Sequence, residues 1–372
     1  MKKLILTFAF LFSGAMIFAQ GNVSVVNQTG SGNGSTVSQT GMTNGSTVDQ
    51  VGDANTADVT QVGISNDSDV DQLGDGNYGE VEQYGNTNEA DIHQGFDVSP
   101  SVNDDNWAYI GQGGNDNVAH IDQYPDTDGS DDNYAWIEQI GNLNDSYINQ
   151  QGDDNTAENQ QWGNSNNSTI LQYGDDNYGG AGQYGNSNTS YDQQSGDDNW
   201  ALTFQTGDFN GSSVFQTGNS NDSYVEQDGN ANNSNVNQNG DDNYSYVDQD
   251  GNNNSSGVAQ IGDDNFSDVD QDGLLNNSSV FQSGNRNMSY VTQNGIGNFS
   301  DVKQFGDDNF SDVDQNGNGN VSGVLQNGFL NESYVNQSGN VNASTVSQFG
   351  NNHYSAVNQI GNGNSSVVTQ SN

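Results

Sequence analysis

Apolar residues are sparse along this chain and fall on a strict grid. Valine recurs every eleven residues at Val26, Val37, Val48 and Val59, and small or amide side chains flank it at two-residue spacing. The unit reads N-x-S-x-V-x-Q-x-G-x-x, as in Asn22, Ser24, Val26, Gln28 and Gly30. Specification at every second position marks one face of a β-strand. The intervening positions vary among Asp, Tyr, Asn, Thr and Glu, so they face solvent. The glycine supplies a positive φ for a turn. A seven-residue strand and a four-residue turn make up the unit.

Aligned on glutamine, the chain holds 31 such units, from Gln28 to Gln370. Asn opens 30 of them, with His353 the exception; the fifth position is Val or Ile in 27, and Gly follows Gln by two in 28. Disorder does not need columns this strict. Two insertions interrupt the period, within residues 95–105 and 124–132, and they contain both prolines, Pro100 and Pro125. Proline would remove a ladder donor, so strands exclude it.

One strand of this kind cannot bury its inner face, but two back to back can. The turns show that they alternate. Asp-Asp pairs stand before Asn at 104–105, 131–132, 153–154, 175–176, 197–198, 241–242, 263–264 and 307–308, always on the same alternate set of turns. The other set reads Asn164-Ser165, Asn186-Ser187 and Asn252-Asn253. The prediction is an all-β fold: a two-sheet β-solenoid with 22 residues per turn, two distinct edges and cross-β, amyloid-like stacking. About 15 turns at roughly 4.8 Å give a body roughly 70 Å long.

Its interior is amide-rich, which a conventional core would not tolerate. Stacked in register, each Asn or Gln can bond to the same residue one turn away, and the small column lets the sheets approach closely. Asn287, Ser289, Val291 and Gln293, followed by Asn298, Ser300, Val302 and Gln304, represent this ladder. The weakest stretch is 159–203, where the Val column reads Asn159, Ile170, Ala181, Asp192 and Thr203. The least protected backbone is expected there.

Composition alone, with 30% hydrophobic residues, 48 Gly and a net charge of −45, would read as disorder; the repeat overrides it. There is no Cys, hence no disulfide or thiolate metal site. Lys2 and Lys3 precede an apolar run ending near Ala19, which reads as a secretory signal peptide over 1–19 ahead of a repeat domain at 20–372. Only Arg286 and Lys303 are basic thereafter, so nucleic acid and anionic membranes should be repelled. No later segment is apolar enough to insert in a bilayer.

The run from Gln293 to Gln304, QNGIGNFSDVKQ, and the looser QYGDDNYGGAGQ from Gln172 to Gln183, resemble the curlin repeat. The resemblance covers nearly all the chain after residue 21. It implies a subunit of an extracellular curli-like amyloid fibre in the biofilm matrix of a Gram-negative-type bacterium. It further implies export through a dedicated outer-membrane secretion channel, a curlin-type nucleator, and a role in adhesion. This chain has more repeats than the major curlin subunit, an unusually acidic edge, and repeats that begin almost directly after the apolar N-terminal run.

Three features invite a functional reading. Aromatic residues follow the ladder Asn at Tyr78, Trp107, Tyr134, Tyr178, Trp200, Tyr244, Phe266, Phe310 and Tyr354, all on one sheet, with Phe299 alone on the other. They form either an exposed stripe for fibre contact and adhesion or a stabilising cross-strand stack. The paired aspartates, such as Asp153, Asp154, Asp175, Asp176, Asp197 and Asp198, repel along the axis by about 0.8 kcal/mol per pair in water. They serve solubility or form Ca²⁺ sites; Ca²⁺ is the one cofactor the pattern suggests. His93, His120 and His353 occupy three different repeat columns and are not expected to converge. With no catalytic constellation readable, an enzyme is not expected. The leading reading is a self-assembling fibre subunit; the alternative is a monomeric secreted adhesin or Ca²⁺-binding solenoid.

Overall fold

The structure is a computed structural model that describes residues 21–95, 105–124 and 132–372. The signal-peptide assignment, both prolines and most of the two insertions lie outside the described residues. So do Asp104 and Asp131.

Each eleven-residue unit forms one strand, giving 31 among the described residues, numbered β1 (Val23–Thr29) to β31 (Ser365–Ser371) in chain order. Odd strands form a 16-stranded sheet and even strands a 15-stranded one. Every pairing is parallel and skips one strand, so a solenoid turn is two units. Val23 to Thr29 pair with Gly45 to Val51, which puts Gln28 beside Gln50, 22 residues on. Across the insertions the register holds at a longer separation: Gln83 pairs with Gln112 and Gln94 with Gln123. Both insertions fall in the sequence between an odd-numbered strand and the even-numbered strand that follows it.

Burial alternates along the strands between the first and last turns, as the period-2 pattern requires. In β24 (Met288–Ile296), Ser289, Val291 and Gln293 are buried between partly exposed neighbours. The apolar part of the core forms two clusters, from Val48 to Ala181 and from Ala201 to Val357, built from the Val/Ile column together with alanines of the small column such as Ala57 and Ala201. It divides where the Val column turns polar.

The glycine two residues after the ladder Gln has a structural requirement. Gly251 has φ +118°, and a Cβ there would stand 2.0 Å from the carbonyl oxygen of Gly273 in the next turn. Only a residue without Cβ allows successive arcs to stack at strand spacing. The small column has a different cause. A Cβ on Gly179 would lie 2.7 Å from Ile170 Cγ2 of the opposite sheet, so small residues there make room for the facing Val column.

Candidate functional site

Amide ladders run the length of the interior. Gln50 Nε2 donates to Gln72 Oε1 at 2.7 Å, Gln72 to Gln94 at 2.9 Å, and Gln94 to Gln123 at 2.9 Å. Further along, Gln293 Nε2 donates to Gln315 Oε1 at 2.8 Å and Gln304 Nε2 to Gln326 Oε1 at 2.9 Å. The second hydrogen of each amide crosses to the other sheet: Gln293 to the Asn277 carbonyl at 3.0 Å, Gln304 to that of Met288 at 2.9 Å. The sequence pattern indicated the ladder but not this cross-sheet bond, which ties the two sheets together at every turn.

The Asn column fixes the arcs. Asn287 N–H donates to Asn265 Oδ1 one turn back at 3.1 Å, and Asn287 Nδ2 donates to the Gly306 carbonyl at 2.7 Å. Asn298 repeats this with Asn276 at 3.0 Å and Gly317 at 2.9 Å. Val291 and Val302 are buried beside them. The Ser289 and Ser300 hydroxyls are buried without a hydrogen-bond partner, so these serines are selected for size rather than for bonding.

That hydroxyl column becomes useful where the Val column is polar. Asn159 Nδ2 donates to Ser146 Oγ at 2.7 Å. Asp192, fully buried, accepts from Thr203 Oγ1 at 3.2 Å and Ser190 Oγ at 3.4 Å. Burial pushes the Asp192 carboxyl up to about 7, against those two bonds.

The edge aspartates have backbone work to do. Asp153 N–H donates to Asp175 Oδ1 at 2.9 Å, Asp175 N–H to Asp197 Oδ1 at 3.1 Å, and Asp197 N–H to Asn219 Oδ1 at 2.9 Å. The opposite edge does the same with amides: Asn142 N–H donates to Asn164 Oδ1 at 3.1 Å. The second residue of each pair is left-handed, with φ of 54°, 56° and 57° at Asp154, Asp176 and Asp198. Asp and Asn tolerate that region well, and this preference was a readable signal for the pair. It is not absolute, since Phe209 and Val341 adopt φ 62° and 57°.

The aromatic residues stack into ladders on the outer face of the even-numbered sheet. Trp107 and Tyr134 lie 4.5 Å apart at 2°, and Tyr244 and Phe266 5.1 Å apart at 4°. A second aromatic column, two residues along each strand, interleaves with the first. Phe266 meets Tyr290 at 5.2 Å, Tyr290 meets Phe310 at 5.9 Å and Phe310 meets Tyr334 at 5.3 Å. Tyr178 stacks on Trp200, and Trp200 on Tyr224. Most of the rings are half-buried by their neighbours, with Tyr354 the most open of the stripe at 60%. Period-11 reading missed the second column because it is staggered by a strand.

One expectation is corrected. His93 and His120 do converge, with ring centroids 4.9 Å apart. They sit on β7 (Glu89–Gln94) and β9 (Val118–Tyr124), adjacent in the odd-numbered sheet, where Asp91 pairs with His120 and His93 with Asp122. Columns two residues apart share one face and touch diagonally, so different repeat positions did not keep the two rings apart. Asp122 Oδ1 lies 3.0 Å from His93 Nδ1 and 2.8 Å from His120 Nε2. Burial pulls the His120 imidazole down, but bonds to Asp122 and Asp91 outweigh it and lift it to about 9. Burial pushes the Asp122 carboxyl up, and the two histidines override it, holding it well below the usual range.

Among the described residues two groups bring three metal-capable side chains within 4.8 Å: His93, His120 and Asp122, and Asp69, Asp71 and His93. Neither includes the edge aspartates. No helix of the described residues is long and apolar enough to cross a membrane.

The fold and the repeat indicate a structural rather than a catalytic protein. Comparison with curated proteins finds no match. A family model described as the curlin associated repeat matches at residues 36–63, 44–74, 65–95, 131–161, 196–229, 240–273, 262–295, 276–306, 306–339 and 323–350. These copies take in more than half of the chain and follow the ladder just described; the chain belongs to the curlin-repeat family.

Proposed function

We propose that this chain is the structural subunit of an extracellular curli-type amyloid fibre, growing by end-on stacking of solenoids. The supporting observation is the polarity of the glutamine ladder. Every Nε2 points to the following turn and every Oε1 to the preceding one, as in Gln227 to Gln249 to Gln271. One side of any turn therefore offers donors and the other acceptors, and a turn of a second copy is chemically equivalent to the next turn of the same chain. Such heterologous contacts propagate rather than close.

A turn also acquires its burial only from a neighbour. Val26 in β1 is 44% exposed, whereas Val48 one turn on is fully buried. Stacking a further turn covers that column and pairs its edge strand, as in cross-β assembly. Export by a signal peptide and outer-membrane channel, nucleation by a second curlin, and a role in biofilm cohesion and adhesion are parts of the same proposal, supported by the resemblance to curli subunits. The acidic turns, with few basic residues to offset them, keep copies apart until stacking supplies the ladder bonds.

The test is refolding of the purified chain by dilution from denaturant, followed by thioflavin fluorescence with and without preformed seeds. A lag that seeds abolish, with fibres diffracting at the strand spacing, is the expected result. A β-rich species that stays monomeric for days would replace this reading with a soluble adhesin or Ca²⁺-binding solenoid.

A further inference from the structure

Histidine occurs three times in the chain, and two of the three copies meet on one carboxylate. The meeting place is the outer face of the odd-numbered sheet, over β5 (Asp67–Leu73), β7, β9 and β11 (Asp145–Gln151). We propose that His93, His120 and Asp122 form a binding site for a transition-metal dication of the Zn²⁺ class.

The donor set selects the metal. Two imidazole nitrogens and one carboxylate oxygen suit Zn²⁺, Co²⁺, Ni²⁺ or Cu²⁺, whereas Ca²⁺ requires an all-oxygen shell. Ligand atoms bonded at about 2.0–2.1 Å in a tetrahedral site lie about 3.3 Å apart. Asp122 Oδ1 already stands 3.0 Å from His93 Nδ1 and 2.8 Å from His120 Nε2, so small rotations of three side chains open the required space. The fourth position faces solvent, as both imidazoles are about a quarter exposed.

The surrounding residues hold these ligands as outer-shell partners do. Tyr147 donates its hydroxyl to Asp122 Oδ2 at 2.8 Å, fixing the carboxylate and leaving Oδ1 to the histidines. Asp91 Oδ2 lies 3.6 Å from His120 Nδ1, so His120 is oriented by a carboxylate on one nitrogen and offers the other. The Asp122 side chain is 7% exposed, an unusual depth for a residue at an outward strand position. Below His93, Asp69 and Asp71 each carry a buried carboxylate oxygen with no hydrogen-bond partner, adding negative potential that favours a cation. The site bridges neighbouring turns whose paired residues, His93 and Asp122, are 29 apart in sequence rather than 22. A bound ion would clamp the solenoid where an insertion interrupts the repeat.

The test is titration of the tag-free full chain with Co²⁺, in an excess of Ca²⁺ that occupies the acidic surface. The expected result is a visible absorption of four-coordinate Co²⁺ that saturates at one equivalent and is displaced by Zn²⁺. The double variant His93→Asn, His120→Asn should weaken binding at least tenfold, and His353→Asn should leave it unchanged. Each single variant should show part of the loss, which covers the case in which the double variant loses strand content. Absence of a saturable band, an unchanged titration in the His93 and His120 variants, or full competition by Ca²⁺ would each overturn the proposal. The outcome is independent of whether the chain forms fibres.

Discussion

Thr203 donates its hydroxyl to Asp192 at 3.2 Å across the two sheets, the one place among the described residues where a carboxylate replaces the valine column. Its in-register neighbours are Ile170 and Val214. Among the described residues no cation faces it; its polar partners are Thr203 and Ser190. With a folded value of about 7 and an unfolded value near 4, the folded state holds the extra proton between those limits. Its stabilising contribution is full below about pH 4 and is lost as pH rises through about 7. The unfolding free energy from denaturant titrations between pH 4 and pH 8 should therefore fall, with Asp192 contributing on the order of a few kcal/mol. Asp192→Asn should remove this residue's share of that fall, leaving the part contributed by raised carboxylates such as Asp69 and Asp248. Asp192→Val should join the two apolar clusters and raise stability at pH 8 by about 1–3 kcal/mol.

The same break predicts where the backbone opens. Between Ala181 and Val214 the Val column is polar at Asp192 and Thr203, while strand pairing continues through the gap. Solenoid stability is a sum of local interface contributions, so amides within 159–203 should exchange faster than those of 243–315. Mass-spectrometric hydrogen exchange on the refolded chain checks this. Uniform protection across both segments would show that the cross-sheet bonds of Asn159 and Asp192 fully replace the lost valines.

Two glycines separate conformational need from coincidence. Gly251→Ala forces a Cβ to 2.0 Å from the Gly273 carbonyl oxygen at φ +118° and should cost at least about 2 kcal/mol. Gly257 has no atom within 4 Å of its would-be Cβ and lies in a strand at an outward position. Gly257→Ala should therefore be neutral or stabilising by up to about 1 kcal/mol. Urea midpoints of the two variants make the comparison.

The architecture was legible because its period is in the residues themselves. Alternation from Asn22 to Gln28 gives the buried face, and the Asp-Asp pairs on alternate turns give the 22-residue turn. The ladder partners of Gln293 and Gln304 follow from that register. What escaped was contact between positions that no column connects. His93 and His120 belong to different columns yet meet diagonally, because residues two apart on neighbouring strands share a face. Tyr290 was likewise invisible beside Phe266. The paired aspartates were read as charge, whereas Asp175 and Asp176 answer two backbone demands: an acceptor for the N–H of the preceding arc and a residue that tolerates left-handed φ.

The glutamine ladder itself can be tested by a change of one atom. Gln293 is fully buried; it accepts from Gln271 Nε2 at 2.8 Å and donates to Gln315 Oε1 at 2.8 Å and to the Asn277 carbonyl at 3.0 Å. Gln293→Glu keeps the acceptor and removes both donors. The new carboxylate then faces two oxygens it cannot bond, in a site with no counter-charge, and should cost about 3–5 kcal/mol at neutral pH. Protonation restores one donor, so the folded state raises the new carboxyl's affinity for a proton. Stability should then recover as pH falls toward about 4. Gln293→Met has similar volume but no ionisable group, and should lose about 1–3 kcal/mol without that recovery. Chemical denaturation of both variants at pH 8 and pH 4 distinguishes the cases. Equal losses at the two pH values for Gln293→Glu would mean that the interior amides act as packing volume, and that the polarity assigned to the ladder plays no part in holding one turn on the next.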